Sequence, residues 1–198
     1  IDGLDNNENF LGGQKFPIPT GFAREVTVLT NNFSTELGRT GNGVFNITSK
    51  SGTNQLEGEL FYVSRPGPSI DASSPYANRD LSGNQVKDGF RRDQLGVAVG
   101  GPIIRDRSFF FVNLEQTSDD KDNLLSSPAL GVQTTVPGNN DFTYLSTKLD
   151  QTWSASWRSA LRLNLSQAEI ERQGGGLDGG VIFPSAASTQ ERAATLAA

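Results

Sequence analysis

The sequence contains no cysteine, no histidine and no methionine among its 198 residues. Without cysteine the chain can form neither disulfides nor thiolate metal sites, and without histidine it lacks the commonest general base and metal ligand. Long hydrophobic runs are also missing, because no stretch reaches the ~18 apolar residues that a membrane-spanning helix needs. These absences argue against an enzyme and against a bound cofactor. Any membrane role would have to use β-structure.

Composition restricts the class of protein further. Hydrophobic residues make up 35% of the chain, charged residues make up 20%, and the formal net charge is −5. The low apolar content argues against a large, deeply packed core. Charges of both signs are mixed, without the concentrated basic patch of nucleic-acid-binding proteins, so we expect no nucleic-acid partner. The missing methionine and the abrupt ends lead us to expect an internal fragment of a longer chain, with any targeting signal upstream.

Five stretches have the composition and alternation of β-strands. They cover residues 55–63, 94–100, 108–116, 142–151 and 159–167. The connections between them alternate in length: residues 64–93 and 117–141 are long and polar, whereas residues 101–107 and 152–158 are short turns. This rhythm is typical of a transmembrane β-barrel, whose periplasmic turns are short and whose extracellular loops are long. Residues 190–198 are interpreted as a short helix or an unstructured end.

The strands carry one apolar and one polar face, because successive side chains point to opposite sides. In the last strand Leu161, Leu163 and Leu165 share one face, while Arg162 and Asn164 lie on the other. In an outer-membrane barrel such an apolar face meets lipid, and in a soluble sandwich it meets a second sheet. The loop rhythm favours the barrel. A soluble or surface-attached β-sandwich, acting as an adhesion or carbohydrate-binding module, is the alternative.

Residues 1–53 have a different pattern. Short strands are predicted at residues 24–29 and 44–48, and the glycine-rich loop between them supplies backbone freedom that other residues lack. That loop has no Lys-Ser/Thr pair and precedes a strand instead of a helix, so it does not fit a phosphate-binding loop. We interpret this segment as a small mixed domain that leads directly into a sheet.

Oxygen-bearing side chains near the N-terminus are a candidate metal site. Asp2, Asp5 and Asn7 could supply ligands for Ca²⁺. Their spacing does not follow the EF-hand loop, and Asp and Asn near Gly are also ordinary turn residues. Both interpretations stay open at this point.

Carboxylates on the strands are the candidate for catalysis. Glu57 and Glu59 share one strand face, and Glu115 is predicted on the same surface. A carboxylate pair is the arrangement that glycoside hydrolysis uses. A hydrated wall facing the N-terminal segment is the interpretation we favour, because no histidine is available to activate a nucleophile. We therefore expect no enzyme activity.

One motif lies at the end of the N-terminal segment, within residues 37–54, and contains Gly38, Gly41, Gly43, Lys50 and Gly52. Its run Val-Phe-Asn-Ile-Thr-Ser-Lys-Ser-Gly-Thr-Asn resembles the sequence that closes the plug domain of TonB-dependent outer-membrane receptors and leads into the first barrel strand. Residues 1–7, 94–104 and 108–115 resemble further segments of the same family, in the same order. The later segments are typical of its Oar-like branch.

The resemblance implies an incomplete antiparallel transmembrane β-barrel preceded by the end of a small α/β plug domain. Residues 1–53 would be the C-terminal half of the plug. Residues 54–198 would be the first five or so barrel strands, with extracellular loops at 64–93 and 117–141 and periplasmic turns at 101–107 and 152–158.

The resemblance also implies a function and a location. The family takes up large or scarce solutes, such as iron chelates, cobalamin, oligosaccharides or peptides, across the outer membrane of Gram-negative bacteria. The implied partners are outer-membrane lipid, an unidentified extracellular ligand, and the inner-membrane energy-coupling complex, reached through a segment upstream of residue 1. No cofactor is implied.

Overall fold

The computed structural model of the chain consists of two antiparallel β-sheets. The residues that it describes are 1–3, 5–7, 17–30, 43–67, 70, 76, 82–85, 89–127, 131–170 and 189–197. Within these ranges no helix is long and apolar enough to cross a membrane.

The smaller sheet has two strands, β1 (Ala23–Leu29) and β2 (Val44–Ser49). Their β-branched residues favour extended backbone, and Val26 pairs with Ile47 across the sheet. The two short strands predicted in the N-terminal segment are therefore confirmed to within a residue or so at their ends.

The larger sheet has six strands, and each pairs with its neighbour in the sequence. The strands are β3 (Glu57–Arg65), β4 (Arg91–Ile104), β5 (Ser108–Ser127), β6 (Val132–Thr152), β7 (Arg158–Ile170) and β8 (Thr189–Ala197). Such an up-and-down order needs only hairpin connections. Among the described residues, β3 and β8 are the edge strands of this sheet.

One face of the larger sheet, called the outer face below, exposes apolar side chains in rows that cross the strands. The central row runs through the paired residues Leu60, Val97, Leu114, Leu145 and Leu165. Four of these five, all except Leu145, are between 37% and 74% exposed. A neighbouring row joins Phe110, Leu149 and Leu161. The outer face is therefore apolar and uncovered.

The predicted loop at residues 117–141 is wrong for most of its length. β5 continues to Ser127, β6 begins at Val132, and these two residues are paired. The predicted strands end where apolar alternation stops. Backbone hydrogen bonds between strands do not need an apolar face, so the hairpin continues into a polar sequence without losing its pairing.

The prediction of a helix or loose end at residues 190–198 is also wrong. Residues of β8 pair with β7, from Ile170 with Thr189 to Arg162 with Ala197. Alanine, arginine and leucine have high helix propensity, which made this stretch look helical. Pairing with an existing strand overrides that local preference. The sheet therefore has six strands where five were predicted.

Both predicted short turns are present. β4 and β5 are joined by residues 105–107, and β6 and β7 by residues 153–157. The first turn is shorter than predicted because β4 runs on to Ile104, whereas β5 begins at Ser108 as predicted. At the long connection predicted for residues 64–93, β3 runs on to Arg65 and β4 begins at Arg91, and about half of the residues lie outside the described ranges. The side of the membrane assigned to each connection stays a prediction.

Candidate functional site

The second face of the larger sheet, called the inner face below, is polar and covered. One row of it runs through the paired residues Glu59, Ala98, Asn113, Ser146 and Asn164. The last four are no more than 5% exposed. Soluble proteins normally bury leucine and expose asparagine. The opposite arrangement here argues against the soluble sandwich.

The N-terminal segment packs on this inner face. Phe22 is 1% exposed and forms a small apolar cluster with Ala98 and Phe111. Next to it, a Cβ added to Gly21 would lie 2.3 Å from Oδ1 of Asn113. Because that separation is far below a van der Waals contact, any larger residue at position 21 would require the Asn113 side chain to move.

Several buried polar atoms beneath this segment have no hydrogen-bond partner among the residues that the structure describes. They include both side-chain polar atoms of Asn113, Oγ of Ser146, Oδ1 of Asn164 and Oε2 of Glu115. Buried polar groups normally bind ordered water when no protein partner is in reach. We therefore expect a hydrated seam between the segment and the sheet, which can separate without exposing a large apolar core.

An ion pair ties the segment to β7. The Asp2 carboxylate contacts the Arg162 guanidinium, and the two side chains are only 16% and 9% exposed. Ser49 donates its backbone N–H to Oδ1 of Asp2 at 2.8 Å and its hydroxyl to Oδ2 at 2.5 Å. Asp2 also donates its own N–H to the Ile47 carbonyl at 2.8 Å. Asp2 therefore connects β2 to the wall formed by β7.

Lys148 on β6 makes a second polar link to the segment. Its ammonium group donates to Oγ of Ser51 at 2.8 Å and to Oγ of Ser49 at 3.3 Å. Lys148 is the Cα partner of Arg162, so two neighbouring inner-face cations both reach residues of the segment. Alternation placed both cations on the polar face, but nothing in the sequence indicated their partners.

Gly52 lies where the segment crosses the sheet backbone. A Cβ at this position would lie 2.3 Å from the carbonyl oxygen of Phe110 and 2.6 Å from that of Gly101. Neither oxygen belongs to a movable side chain. Gly52, a member of the motif within residues 37–54, is thus required because the backbone at this position approaches β4 and β5 so closely.

The other residues of the motif within residues 37–54 either lack such a close approach or lie outside the described residues. Lys50 forms an ion pair with Glu59 at 3.2 Å, and its N–H donates to the Phe22 carbonyl at 2.9 Å. Gly43 has φ of +139°, in the region that favours glycine. Gly38 and Gly41 lie outside the described residues.

The side chains of the candidate calcium site, Asp2, Asp5 and Asn7, make contacts of other kinds. Both oxygens of Asp2 have protein partners, as described above, and Oδ1 of Asp5 accepts the Asn7 N–H at 2.9 Å. The Asp5–Asn7 contact is an ordinary turn bond from a side chain to the backbone two residues on. In the part of the chain that the structure describes, no group of three or more acidic side chains is arranged to hold a metal ion.

The carboxylate candidate is divided between two places. Glu57 and Glu59 line a cavity of about 210 Å³ between β3 and residues 50–53. Glu115 is 3% exposed and accepts a hydrogen bond from Nε2 of Gln94 at 2.7 Å. Since Glu59 pairs with Lys50 and Glu115 with Gln94, these side chains have structural partners. Their surroundings fit a polar wall better than a catalytic pair.

Comparison with known proteins gives a family and a relative. The model of a family described as "Outer membrane beta barrel domain" matches residues 48–173, which is more than half of the chain. Over 150 residues the chain is 27% identical to the "TonB-dependent transporter Oar" of Myxococcus xanthus. That match covers 72% of this chain but only 14% of the transporter. No solved structure matches the chain.

Proposed function

Since the chain belongs to the outer membrane beta barrel domain family, we propose that it forms part of a transporter barrel whose lumen is covered by residues 1–53. The chain lies in the outer membrane, and its larger sheet is an incomplete barrel, because its six strands are fewer than the ~8 of the smallest closed bacterial barrels. One observation carries the proposal: the apolar rows are exposed on the outer face while the polar rows are buried on the inner face.

Lipid is the environment that suits the outer face. Exposed leucine and valine at every second position match the lipid-facing surface of a transmembrane barrel. On β5 Leu114 is followed on the same face by the polar residues Gln116, Ser118 and Asp120. The strand itself runs to Ser127, so it is longer than the ~9–11 residues that span a membrane. We place the part of β5 beyond Gln116 outside the bilayer.

The N-terminal segment has the features that a plug needs. Its polar and backbone contacts with the inner face include the ion pair of Asp2 with Arg162, the hydrogen bonds of Lys148, and the close approach of Gly52. All three lie on a polar surface with unpaired buried groups, which supports a segment that can be displaced. We propose residues 1–53 as the end of the plug and residue 54 as the start of the barrel.

The Myxococcus relative is named a TonB-dependent transporter, and we propose that transport by this barrel likewise depends on an energy-coupling system. Displacing the segment would break the contacts of Arg162 and Lys148 and open the hydrated seam. The cargo would be a large or scarce solute, such as an iron chelate, cobalamin, an oligosaccharide or a peptide. The residues that bind it stay unassigned.

Removing the segment tests the proposal. The complete barrel protein and a variant that lacks residues 1–49 would be reconstituted in planar lipid bilayers. We expect the complete protein to stay closed and the variant to carry a steady current, because the part of the lumen that residues 1–49 cover would be open.

Folding would be monitored by the shift in SDS mobility that heating causes in barrels. A variant that folds by this criterion and yet carries no current would contradict the assignment of residues 1–53 as the cover. A complete protein that extracts without detergent and shows no heat-dependent mobility would contradict the barrel itself.

A further inference from the structure

The inner face carries a strip of basic side chains that begins beneath the N-terminal segment and ends at the short turns. Lys148 and Arg162, which are Cα partners, form its upper part. Arg107 and Arg158 form its lower part. Thr152 donates its N–H to the Arg107 carbonyl at 2.7 Å and is the Cα partner of Arg158, so these two arginines lie in one row. Lys148, Arg162, Arg107 and Arg158 are called the basic strip below.

Side-chain alternation places both parts of the basic strip on the inner face. Arg158 comes four residues before Arg162 on β7, an even step that keeps both side chains on one side of the sheet and separates their Cα atoms by about 13 Å. Thr152 and Lys148 are likewise four residues apart on β6. The basic strip therefore runs down the lumen side of the proposed barrel.

The lower arginines are accessible to an anion. Arg107 and Arg158 are exposed, and neither has an ion pair or a side-chain hydrogen bond among the residues that the structure describes. Asp150 lies between the two parts of the strip, with Oδ1 4.0 Å from Nζ of Lys148. The four basic side chains outnumber Asp150 and the Asp2 carboxylate of the segment, so this part of the wall is positive.

A carboxylate already occupies the upper part of the strip. The Asp2 carboxylate contacts the Arg162 guanidinium, but its two oxygens also accept hydrogen bonds from Ser49. Nε of Arg162 is buried and has no hydrogen-bond partner in the described part of the chain. A guanidinium binds a carboxylate most tightly when two of its N–H groups donate in parallel. Asp2 thus satisfies Arg162 only in part, and a free carboxylate in its place could use both donors.

We propose that the basic strip is the path of a cargo that carries carboxylate groups. The inference rests on the proposed function, because the strip lines an open lumen only after the segment is displaced. Displacement takes Asp2 away from Arg162 and Ser49 away from Lys148, and carboxylates of the cargo take their place. Arg158 and Arg107 then bind the same groups near the short turns. A cationic cargo is disfavoured on this path, because it meets charges of its own sign.

The test measures the ion selectivity of the open lumen. The shortened protein, which is the complete barrel protein without residues 1–49, would be placed in planar bilayers between unequal KCl concentrations. The reversal potential gives the ratio of chloride to potassium permeability. Arg158→Gln should lower this ratio about twofold, because a charge on a narrow aqueous path acts over roughly 10 Å in dilute salt. Arg107→Gln/Arg158→Gln should lower it further, and Asp150→Asn should raise it.

The matched control is Arg91→Gln, which removes one exposed arginine from the outer face at the start of β4. It should leave the permeability ratio unchanged. Block of the current by added citrate is the second readout, because citrate carries carboxylates. Citrate should block the shortened protein at a lower concentration than it blocks the Arg158→Gln variant, whereas uncharged glucose should block neither.

An unchanged permeability ratio in the double variant would overturn the proposal, as would an equal fall in Arg91→Gln or equal block by citrate with and without Arg158. If the shortened protein does not show the heat-dependent SDS mobility of a folded barrel, the same potentials are measured on the complete protein with its segment released by urea. A folded shortened protein without current refutes the proposed function and the strip with it. A current whose selectivity ignores these substitutions refutes only the strip.

Discussion

Replacing Asp2 with asparagine is expected to weaken the attachment of the N-terminal segment by about 3–5 kcal/mol, the usual effect of removing one partner of a buried ion pair. The substitution keeps the shape and one acceptor oxygen for Ser49, but it leaves the Arg162 guanidinium buried without a counter-charge. The measurement is the urea concentration at which residues 1–53 of the complete barrel protein become accessible to protease. That concentration should fall markedly in Asp2→Asn.

Two variants control this experiment. Glu59→Gln breaks the ion pair of Lys50 with Glu59, in which the Lys50 side chain is 34% exposed and the Glu59 side chain is 58% exposed. An exposed ion pair contributes only about 0–1 kcal/mol to stability. Asp2→Asn combined with Arg162→Met removes both buried charges and should restore much of the attachment. If Asp2→Asn released the segment no more readily than Glu59→Gln, the ion pair would not hold it.

Gly52→Ala is expected to prevent the segment from seating properly on the sheet. The new methyl group would meet the Phe110 and Gly101 carbonyl oxygens at 2.3 and 2.6 Å, so the backbone of the segment must move away. Overpacking costs about 1–3 kcal/mol where side chains can adjust, and here the obstacles are backbone atoms, so we expect the upper end of that range. The protease assay described for Asp2 measures the effect.

Gly58→Ala is the matched control on the adjacent strand. A Cβ there would have ordinary contacts, 3.6 Å from the Ala98 carbonyl oxygen and 3.7 Å from Cγ2 of Val99. It should leave the attachment of the segment nearly unchanged. Equal protease resistance in the Gly52→Ala and Gly58→Ala variants would show that close approach at Gly52 does not matter.

The two faces of the strands were predictable because side-chain alternation has a period of two and is local in the sequence. Leu161, Leu163 and Leu165 were separated from Arg162 and Asn164 on that basis, and the structure confirms the separation. Which face would be covered was not predictable from alternation. The resemblance led us to expect the polar face of Glu57 and Glu59 to meet the N-terminal segment, and the structure places the segment over that polar side, which distinguishes a barrel wall from a sandwich.

The full length of the paired strands β5 and β6 was not predicted, for a different reason. Between Gln116 and Phe142 the sequence does not keep an apolar alternation, so β5 was expected to end at residue 116 and β6 to begin at residue 142. Their backbones stay paired to the end of the hairpin. Where neither face of a strand has to be apolar, backbone pairing leaves no regular pattern of apolar and polar side chains. Sequence periodicity therefore predicts the extent of the apolar surface better than it predicts the ends of the strand.

The contacts that hold the N-terminal segment on the sheet could not be predicted from the sequence either. Asp2 was singled out as a calcium candidate, and Arg162 only as a polar-face residue. Their pairing joins the beginning of the segment to β7, and no local pattern links positions so far apart. Gly52 was identified through the resemblance, and its physical role became clear only from its distance to the carbonyl oxygens of the sheet.

The most direct test of the central claim is the accessibility of spin labels along β7 in the complete barrel protein, reconstituted in lipid bilayers. Cysteine is absent from the 198 residues, so a single cysteine introduced at each of positions 161 to 165 gives one label per variant in this part of the chain. Labels at Leu161, Leu163 and Leu165 should collide with oxygen dissolved in the lipid. Labels at Arg162 and Asn164 should be shielded from it. Equal accessibility along the strand, or the reverse alternation, would contradict an outer face that lies in lipid.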